Sequence, residues 1–197
     1  MLVAPYLVND FANIHVRGSL AWLACDHGSR LVSLAALAWL VRRRVIDRDD
    51  LLLRGGPAGR TIAITLAATI GGLALDAGTV KGWLDGIGWG QLGVIPGLEP
   101  KWLAQADWVL GLAFVAVSEE LIFRGALPRL LGRSGLAPGA ALGVAAAVFG
   151  LVHWSLGFGH VVQAALIGVW FGVAVRLAGS LWPVMLAHYV VNLVAFR

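Results

Sequence analysis

The stretch 108-WVLGLAFVAVSEELIFRG-125 places two adjacent carboxylates, Glu119 and Glu120, in an otherwise apolar run. No charge precedes them as far back as Trp108, and apolar residues resume directly after them until Arg124. An ionisable side chain inside a membrane segment costs roughly 2.5–3.5 kcal/mol on insertion scales, and it usually marks a functional site. The stretch therefore predicts a membrane helix with functional carboxylates, provided that the rest of the chain is equally apolar.

The composition indicates that lipid is the solvent of most of the chain. Hydrophobic residues make up 59% of the 197 residues, charged residues make up 13%, and the mean hydropathy is +0.81. A soluble domain carries about 25% charged residues. The length predicts one integral-membrane domain, residues 1–197. The single cysteine, Cys25, excludes an intramolecular disulfide, and the N-terminus MLVAPYLVND lacks the basic leader of a cleaved signal peptide.

Six apolar segments approach the ~20 residues that a helix needs to cross a bilayer. They are residues 19–41, 61–80, 102–121, 136–153, 161–177 and 181–196. The first is interrupted by Asp26, His27 and Arg30, so it either crosses as one helix or begins at Ser29 after an interfacial helix. We therefore expect an all-α, polytopic membrane helical bundle with about six transmembrane helices.

Positive charge is concentrated in the loop between Arg42 and Arg60, which includes 41-VRRRVIDRDDLLLR-54. Because short cytoplasmic loops are enriched in Lys and Arg, this loop is predicted to be cytoplasmic. Further cations then fall on the cytoplasmic side (Arg129, Arg133, Arg176) and on the opposite side (Arg17, Lys81, Lys101, Arg197). This distribution explains the net charge of +4 and favours membrane lipid as a partner, with no nucleic acid.

The two carboxylates differ in their expected partners. Glu120 and Arg124 are four residues apart, so on a helix they share a face and form an ion pair. Glu119 is turned by about 100° and is predicted to be the less neutralised acid. Alternatively, both acids are structural partners of arginines on neighbouring helices.

Two further polar groups lie in apolar segments. In 149-FGLVHW-154, His153 follows Phe149 by one helical turn, and in 187-AHYVVN-192, His188 and Asn192 are four apart. Taken singly, such residues more often satisfy interhelical hydrogen bonds than catalyse. Counting from the turn 132-GRSGLAPG-139 predicts similar depths for His153 and the carboxylates, provided that Pro128 does not break the helix. The same count leaves the depth of His188 open.

These groups are suited to hydrolysis of an acyl bond by activated water. A carboxylate and a histidine that converge on one water form a general base with an orienting partner. A second histidine and an asparagine amide can donate to a developing oxyanion. No Gly-x-Ser-x-Gly frame is present. As an alternative, Glu119, His153 and His188 could hold zinc, although the chain has no HExxH motif.

Three ordered motifs, EExxxR (119-EELIFR-124), FxxxH (149-FGLVH-153) and HxxxN (188-HYVVN-192), resemble those of the CPBP family. These are the CAAX-protease and bacteriocin-processing intramembrane proteases, also called Abi proteins. The resemblance covers approximately residues 102–192, which would form the catalytic core. Each motif alone is weak, but three in this order and spacing are specific.

The resemblance implies a glutamate-type intramembrane endopeptidase. Its substrate would be a membrane-anchored or lipidated protein or peptide: a prenylated CaaX terminus, a leader peptide or a C-terminal sorting tail. Glu119 and His153 would activate the water, and His188 and Asn192 would form the oxyanion hole. The supporting residues would be Glu120, Arg124 and Phe149.

The resemblance leaves the role of metal open, because family members have long been labelled metalloproteases while the glutamate mechanism needs no metal. We expect no cofactor, with zinc as the alternative. Two other classes of function are also considered. An ion-coupled transporter would use the buried acids and histidines but explains Asn192 poorly. A non-catalytic membrane scaffold or immunity protein would have no need for the complete Glu, His, His and Asn set.

Overall fold

The computed structural model describes residues 1–84 and 86–196, without the side chains of residues 79–81. Arg197 and the side chain of Lys81 therefore lie outside the described part of the chain. Within it, the regular secondary structure is entirely helical, as expected. The α-helices are α1 (Ala4–His15), α2 (Ser19–Arg42), α3 (Ala58–Asp76), α4 (Thr79–Leu84), α5 (Lys101–Ala106), α6 (Leu112–Glu120), α7 (Leu127–Arg133), α8 (Pro138–Leu151), α9 (Phe158–Ala178) and α10 (Trp182–Ala195).

Helices α5, α6 and α7 form one continuous helical run from Lys101 to Arg133. Two π turns, Asp107–Gly111 and Leu121–Ala126, join them. The helix therefore continues beyond residue 121, the predicted end of this span. Pro128 does not break the run because it is the second residue of α7, directly after a π turn, where a missing N–H is tolerated. Single π turns within helices often occur at functional sites.

The first predicted span is one unbroken helix of 24 residues, α2, so the alternative with a break before Ser29 is wrong. Its charges are tolerated because Arg30 Nη1 donates a hydrogen bond to Asp26 Oδ1, one turn earlier. The second span, α3, ends earlier than predicted. Gly78 follows it with a φ of +82°, a left-handed conformation that favours glycine and turns the chain into α4.

Within the described residues, two helices, α3 and α9, are long and apolar enough to cross a membrane. Large apolar side chains of α3 point outward: Ile62, Leu66 and Ile70 are 60%, 58% and 67% exposed. The core helix of a soluble protein would bury such side chains, so this surface suits lipid. The apolar helices α8 and α10 have only 14 residues each, below the ~20 that crossing requires. Six crossings therefore remain a prediction.

Hydrogen bonds between chain segments define two ends of the bundle. At the first end, the Leu181 N–H donates to the Leu52 carbonyl at 2.9 Å. There, Arg133 Nη2 also donates to Asp50 Oδ2 at 2.9 Å. This end, which we call the basic end, contains the termini of α2, α3, α8, α9 and α10 nearest the segment between Arg42 and Arg60.

The other end, which we call the opposite end, contains the remaining termini of the same helices. Gln163 Nε2, near the start of α9, donates to the carbonyl of Asp76, the last residue of α3, at 3.1 Å. The Leu92 N–H donates to the Ser155 carbonyl at 2.8 Å, which attaches an extended segment to the turn between α8 and α9.

The apolar core has two clusters that flank the middle of the bundle. One contains Phe123 and Phe149, and the other contains Phe171 and Met185. Helices α8 and α9 approach closely, since a Cβ on Gly150 would lie 2.4 Å from the Val161 carbonyl oxygen. This close contact sets the position of the Phe149–His153 motif relative to the other core helices.

Candidate active site

Glu119 is the penultimate residue of α6 and is only 3% exposed. Its Oε1 accepts a hydrogen bond of 3.0 Å from Nη2 of Arg30, which belongs to α2. Arg30 is itself buried and also pairs with Asp26. The prediction that Glu119 is the less neutralised acid is therefore wrong, because a neighbouring helix supplies its arginine. A search for partners along the same helix could not find a residue 89 positions away.

The second oxygen of Glu119, Oε2, lies 3.7 Å from Nε2 of His188. It accepts no hydrogen bond from any residue that the structure describes. The carboxylate is thus fixed through Oε1, and Oε2 is left near a histidine ring. Such an arrangement fixes the orientation of the carboxylate and leaves Oε2 able to accept further hydrogen bonds.

Glu120 is completely buried, with 0% exposure. Nη1 of Arg124 lies 3.0 Å from its Oε1, which confirms the predicted ion pair. The angle does not meet hydrogen-bond geometry, and both terminal nitrogens of Arg124 lack a well-aligned acceptor among the described residues. The Arg124 guanidinium instead lies over the Phe149 ring, 4.0 Å from its centroid, a cation–π contact.

His188 connects the two carboxylates. Its Nδ1 lies 2.7 Å from Glu120 Oε1, and its Nε2 faces Glu119. The depth of His188 is therefore that of the two acids, which residue counting left open. An ionised carboxylate only accepts hydrogen bonds, so Nδ1 must be the donor to Glu120. Nε2 then donates a proton only when the ring is doubly protonated.

His153 lies just past the end of α8, and its Nδ1 is 2.8 Å from the Phe149 carbonyl oxygen. Its ring contacts Phe149 edge-on and stacks on His160 at a centroid distance of 6.2 Å. The histidine therefore occupies the C-terminal cap of α8 instead of a regular helical position. Among the described residues it makes no direct hydrogen bond to Glu119.

One cavity of about 490 Å³ brings the predicted residues together. The predicted catalytic residues that line it are Glu119, His153, His188 and Asn192, with Phe149 beside them. Glu120 and Arg124 are not among its described lining residues and lie behind His188 and Phe149. The cavity also contains apolar side chains, including Leu112, Val115 and Ile167.

Helix α1 contributes polar residues to this cavity that the sequence did not predict. Asp10 Oδ2 accepts a 2.7 Å hydrogen bond from the Ser155 N–H, and Asn13 Nδ2 donates to Ser155 Oγ at 3.1 Å. Burial raises the pKa of the Asp10 carboxyl, and the Ser155 hydrogen bond opposes this effect. The helix was missed because its 12 residues are too few for a membrane span.

The alternative zinc ligands do not form a metal-binding group. In residues 1–84 and 86–196, no three His, Cys, Asp or Glu side chains are arranged to hold a metal ion. Glu119 uses Oε1 for Arg30 and His188 uses Nδ1 for Glu120, so each keeps one further ligand atom, Oε2 and Nε2. Because the three predicted ligands do not form one metal-binding group among the described residues, we derive no step through zinc.

The geometry can be compared with known families. Residues 101–194 match the family model described as type II CAAX prenyl endopeptidase Rce1-like. This segment is an Rce1-like domain. The resemblance to CAAX proteases drawn from the three motifs is thereby confirmed. No curated protein and no solved structure matches the chain.

The Rce1-like domain runs from the first residue of α5 into α10 and contains all three motifs. The predicted core, residues 102–192, falls within it, whereas the division of residues 1–197 into a single domain stays a prediction. Together with the apolar helices α3 and α9, the domain indicates a membrane protein of a protease family. Arg30 and the residues of α1 lie outside the Rce1-like domain and complete the cavity from the N-terminal part of the chain.

Proposed function

We propose that this protein is an intramembrane endopeptidase that cleaves a peptide bond of a membrane-associated protein or peptide by Glu119-activated water. The environment of Glu119 supports the proposal most directly. The carboxylate is buried, one oxygen is fixed by Arg30, and the other oxygen faces His188 beside a cavity large enough for a peptide segment. Buried carboxylates that face a cleft are candidates for catalytic groups.

The hydrolysis begins with a water molecule between Glu119 Oε2 and the His153 ring. As the water oxygen attacks the scissile carbonyl carbon, its proton passes to Oε2, and His153 orients the remaining O–H. The tetrahedral intermediate then collapses, the C–N bond breaks, and Glu119 returns the proton to the leaving amine. The products are a carboxylic acid and an amine, so atoms and charge balance.

The oxyanion of the intermediate accepts hydrogen bonds from His188 Nε2–H and the Asn192 side-chain amide. Each donor of this type typically stabilises a transition state by about 2.7–4 kcal/mol. His188 donates to the oxyanion through Nε2 when both ring nitrogens carry a proton, since Glu120 accepts from Nδ1. Glu120 and Arg124 thus act as supports that fix the position of the His188 ring.

This mechanism uses no metal, and its metal independence is part of the proposal. The pairing of Glu119 with Arg30 supports it, since a guanidinium on one carboxylate oxygen competes with a metal for that oxygen. We propose a class of substrate, a membrane-associated protein or peptide. The cleaved segment would be a leader peptide, a sorting tail or a lipidated terminus.

The experiment compares membrane proteins of cells that express wild type, Glu119→Gln or Glu99→Gln. Glu99 is the one glutamate of the sequence besides Glu119 and Glu120. It is exposed, so it provides a matched control. We expect an uncleaved precursor to accumulate only with Glu119→Gln, detected by mass spectrometry of membrane fractions. If wild-type and Glu119→Gln cells have identical membrane proteins, and the purified proteins cleave nothing, a scaffold or an ion-coupled transporter becomes the better explanation.

A further inference from the structure

A second cavity, of about 570 Å³, lies at the basic end of the bundle. It shares no described lining residue with the catalytic cavity. Its floor is buried and consists of small or apolar residues of α8 and α9, among them Ala141, Ala145, Gly168, Gly172 and Val175. Its rim is exposed and includes Arg129, Arg133 and Arg176. The cavity, which we call the basic-end cavity, therefore leads from a cationic rim to an apolar floor.

The charges around the basic-end cavity are not balanced. Its described lining residues include one acid, Asp50, and four arginines: Arg124, Arg129, Arg133 and Arg176. Arg133 Nη2 donates to Asp50 Oδ2 at 2.9 Å, which compensates one charge. Arg129 Nε instead donates to the Asp50 backbone carbonyl at 3.4 Å, and Arg176 Nη2 donates to the Pro138 carbonyl. Since neither Arg129 nor Arg176 pairs with a carboxylate among the described residues, two positive charges at the rim are uncompensated.

Arg124 lines the basic-end cavity from its buried side. The side chain is only 3% exposed, and its ion pair with Glu120 does not satisfy its donors. Within the described part of the chain, neither Nη1 nor Nη2 has a hydrogen-bond acceptor. A buried donor without an acceptor is costly, so an oxygen-bearing anion in the cavity would relieve that cost. The planar guanidinium fork is suited to the oxygens of a phosphate group.

The N-terminus of α8 adds a further feature that favours an anion. Pro138 and Ala141, both in its first turn, line the basic-end cavity, and no described side chain caps the helix there. The free N–H groups and the positive end of the helix dipole at such a terminus attract negative charge. Guanidinium groups and a helix N-terminus thus converge on one cavity whose floor is apolar.

We infer that the basic-end cavity binds an anionic phospholipid. The headgroup phosphate would lie among Arg124, Arg129 and Arg176, and part of an acyl chain would cover the apolar floor. A soluble phosphate would satisfy the arginines but leave the floor uncovered, whereas a phospholipid matches both parts of the cavity. The inference does not depend on the proposed function, because none of these arginines lines the catalytic cavity.

The test measures lipid binding to the purified full chain in detergent by native mass spectrometry. The probes are phosphatidylglycerol, phosphatidylcholine and inorganic phosphate, each titrated separately. The double variant Arg129→Gln/Arg176→Gln removes the two uncompensated charges. The matched control is Arg42→Gln/Arg48→Gln, which removes two exposed arginines that are not among the described lining residues of the cavity. Unfolding temperatures without lipid show that each variant is folded.

We expect the wild type and the control to bind phosphatidylglycerol equally well. The double variant should bind it roughly 30-fold more weakly, about 5-fold for each arginine. If the double variant does not fold, the single variants Arg129→Gln and Arg176→Gln should each show that smaller loss.

Three results would overturn the inference. One is unchanged affinity of the charge-removal variants for phosphatidylglycerol. Another is equally tight binding of the zwitterionic phosphatidylcholine by the wild type. The third is binding of inorganic phosphate as tightly as phosphatidylglycerol, which would identify a site for soluble phosphate instead of a lipid.

Discussion

Two adjacent carboxylates on one helical turn have entirely different surroundings. Glu119 is bonded by Arg30 of another helix and keeps one oxygen towards His188 at the edge of the cavity. Glu120 is buried without exposure, pairs with Arg124 of its own helical run and accepts from the other nitrogen of His188. Successive helical residues point about 100° apart, so one acid can serve chemistry while its neighbour serves structure.

The comparison also shows why two arginines are needed. Burial of either carboxylate without a cation would cost free energy of folding. One arginine could not contact both carboxylates, because they point in different directions from the helix. The cation for Glu120 comes from the same helical run, whereas the cation for Glu119 must come from α2. The Rce1-like domain therefore depends on a residue from the preceding part of the chain.

The largest effect is expected from Glu119→Gln. The change removes the base and almost no volume, so cleavage by purified enzyme should be abolished while the unfolding temperature stays near that of the wild type. Glu120→Gln should behave differently, with residual cleavage and a lower unfolding temperature, because it weakens the support of His188. Near-normal turnover of Glu119→Gln would assign the base to another residue and end the distinction between the two acids.

Removal of Arg124 should lower the stability of the protein through Glu120, the carboxylate with a structural role. Arg124→Ala leaves Glu120 charged and buried without its partner, which costs about 3–5 kcal/mol of stability. Arg129→Ala is the matched control, because Arg129 is exposed and its 3.4 Å contact goes to a backbone carbonyl. Thermal unfolding in detergent and the yield of folded protein measure the difference. Equal stability of the two variants would show that Glu120 does not need its ion pair.

A smaller effect is expected from Arg30→Lys, which keeps the charge but loses the fork that contacts both Asp26 and Glu119. Displacement of a catalytic group lowers turnover by on the order of 10- to 100-fold. We expect kcat to fall with little change in KM, since Arg30 positions Glu119 and does not act on the peptide. Arg17→Lys is the control, because Arg17 follows α1 and is exposed. A change in KM alone would indicate that Arg30 binds substrate instead.

The smallest effect is expected from chelation. If both carboxylates are satisfied by arginines and histidine, exhaustive removal of metal from the purified, active enzyme should leave cleavage unchanged. Metal content and activity are measured on the same sample. Stoichiometric zinc whose removal stops cleavage, and whose return restores it, would replace the glutamate mechanism with a metal mechanism at Glu119.

The sequence by itself determined the features that depend on neighbouring residues. Apolar composition predicted an all-helical membrane protein, the EExxxR spacing predicted the Glu120–Arg124 pair, and three ordered motifs predicted the CAAX-protease family. These features depend on the repeat of a single helix or on composition, and both can be counted along the chain. Residue counting did not predict the local departures from regular helix geometry, the π turn before Pro128 and the end of α8 before His153.

Only the tertiary structure decided which groups meet across helices. Arg30 reaches Glu119 over 89 positions, and His188 reaches Glu120 over 68. Helix α1, too short for a membrane span, supplies Asp10 and Asn13 beside the same cavity. Such contacts depend on how helices are rotated and packed against one another, and residue spacing within one helix does not specify that arrangement.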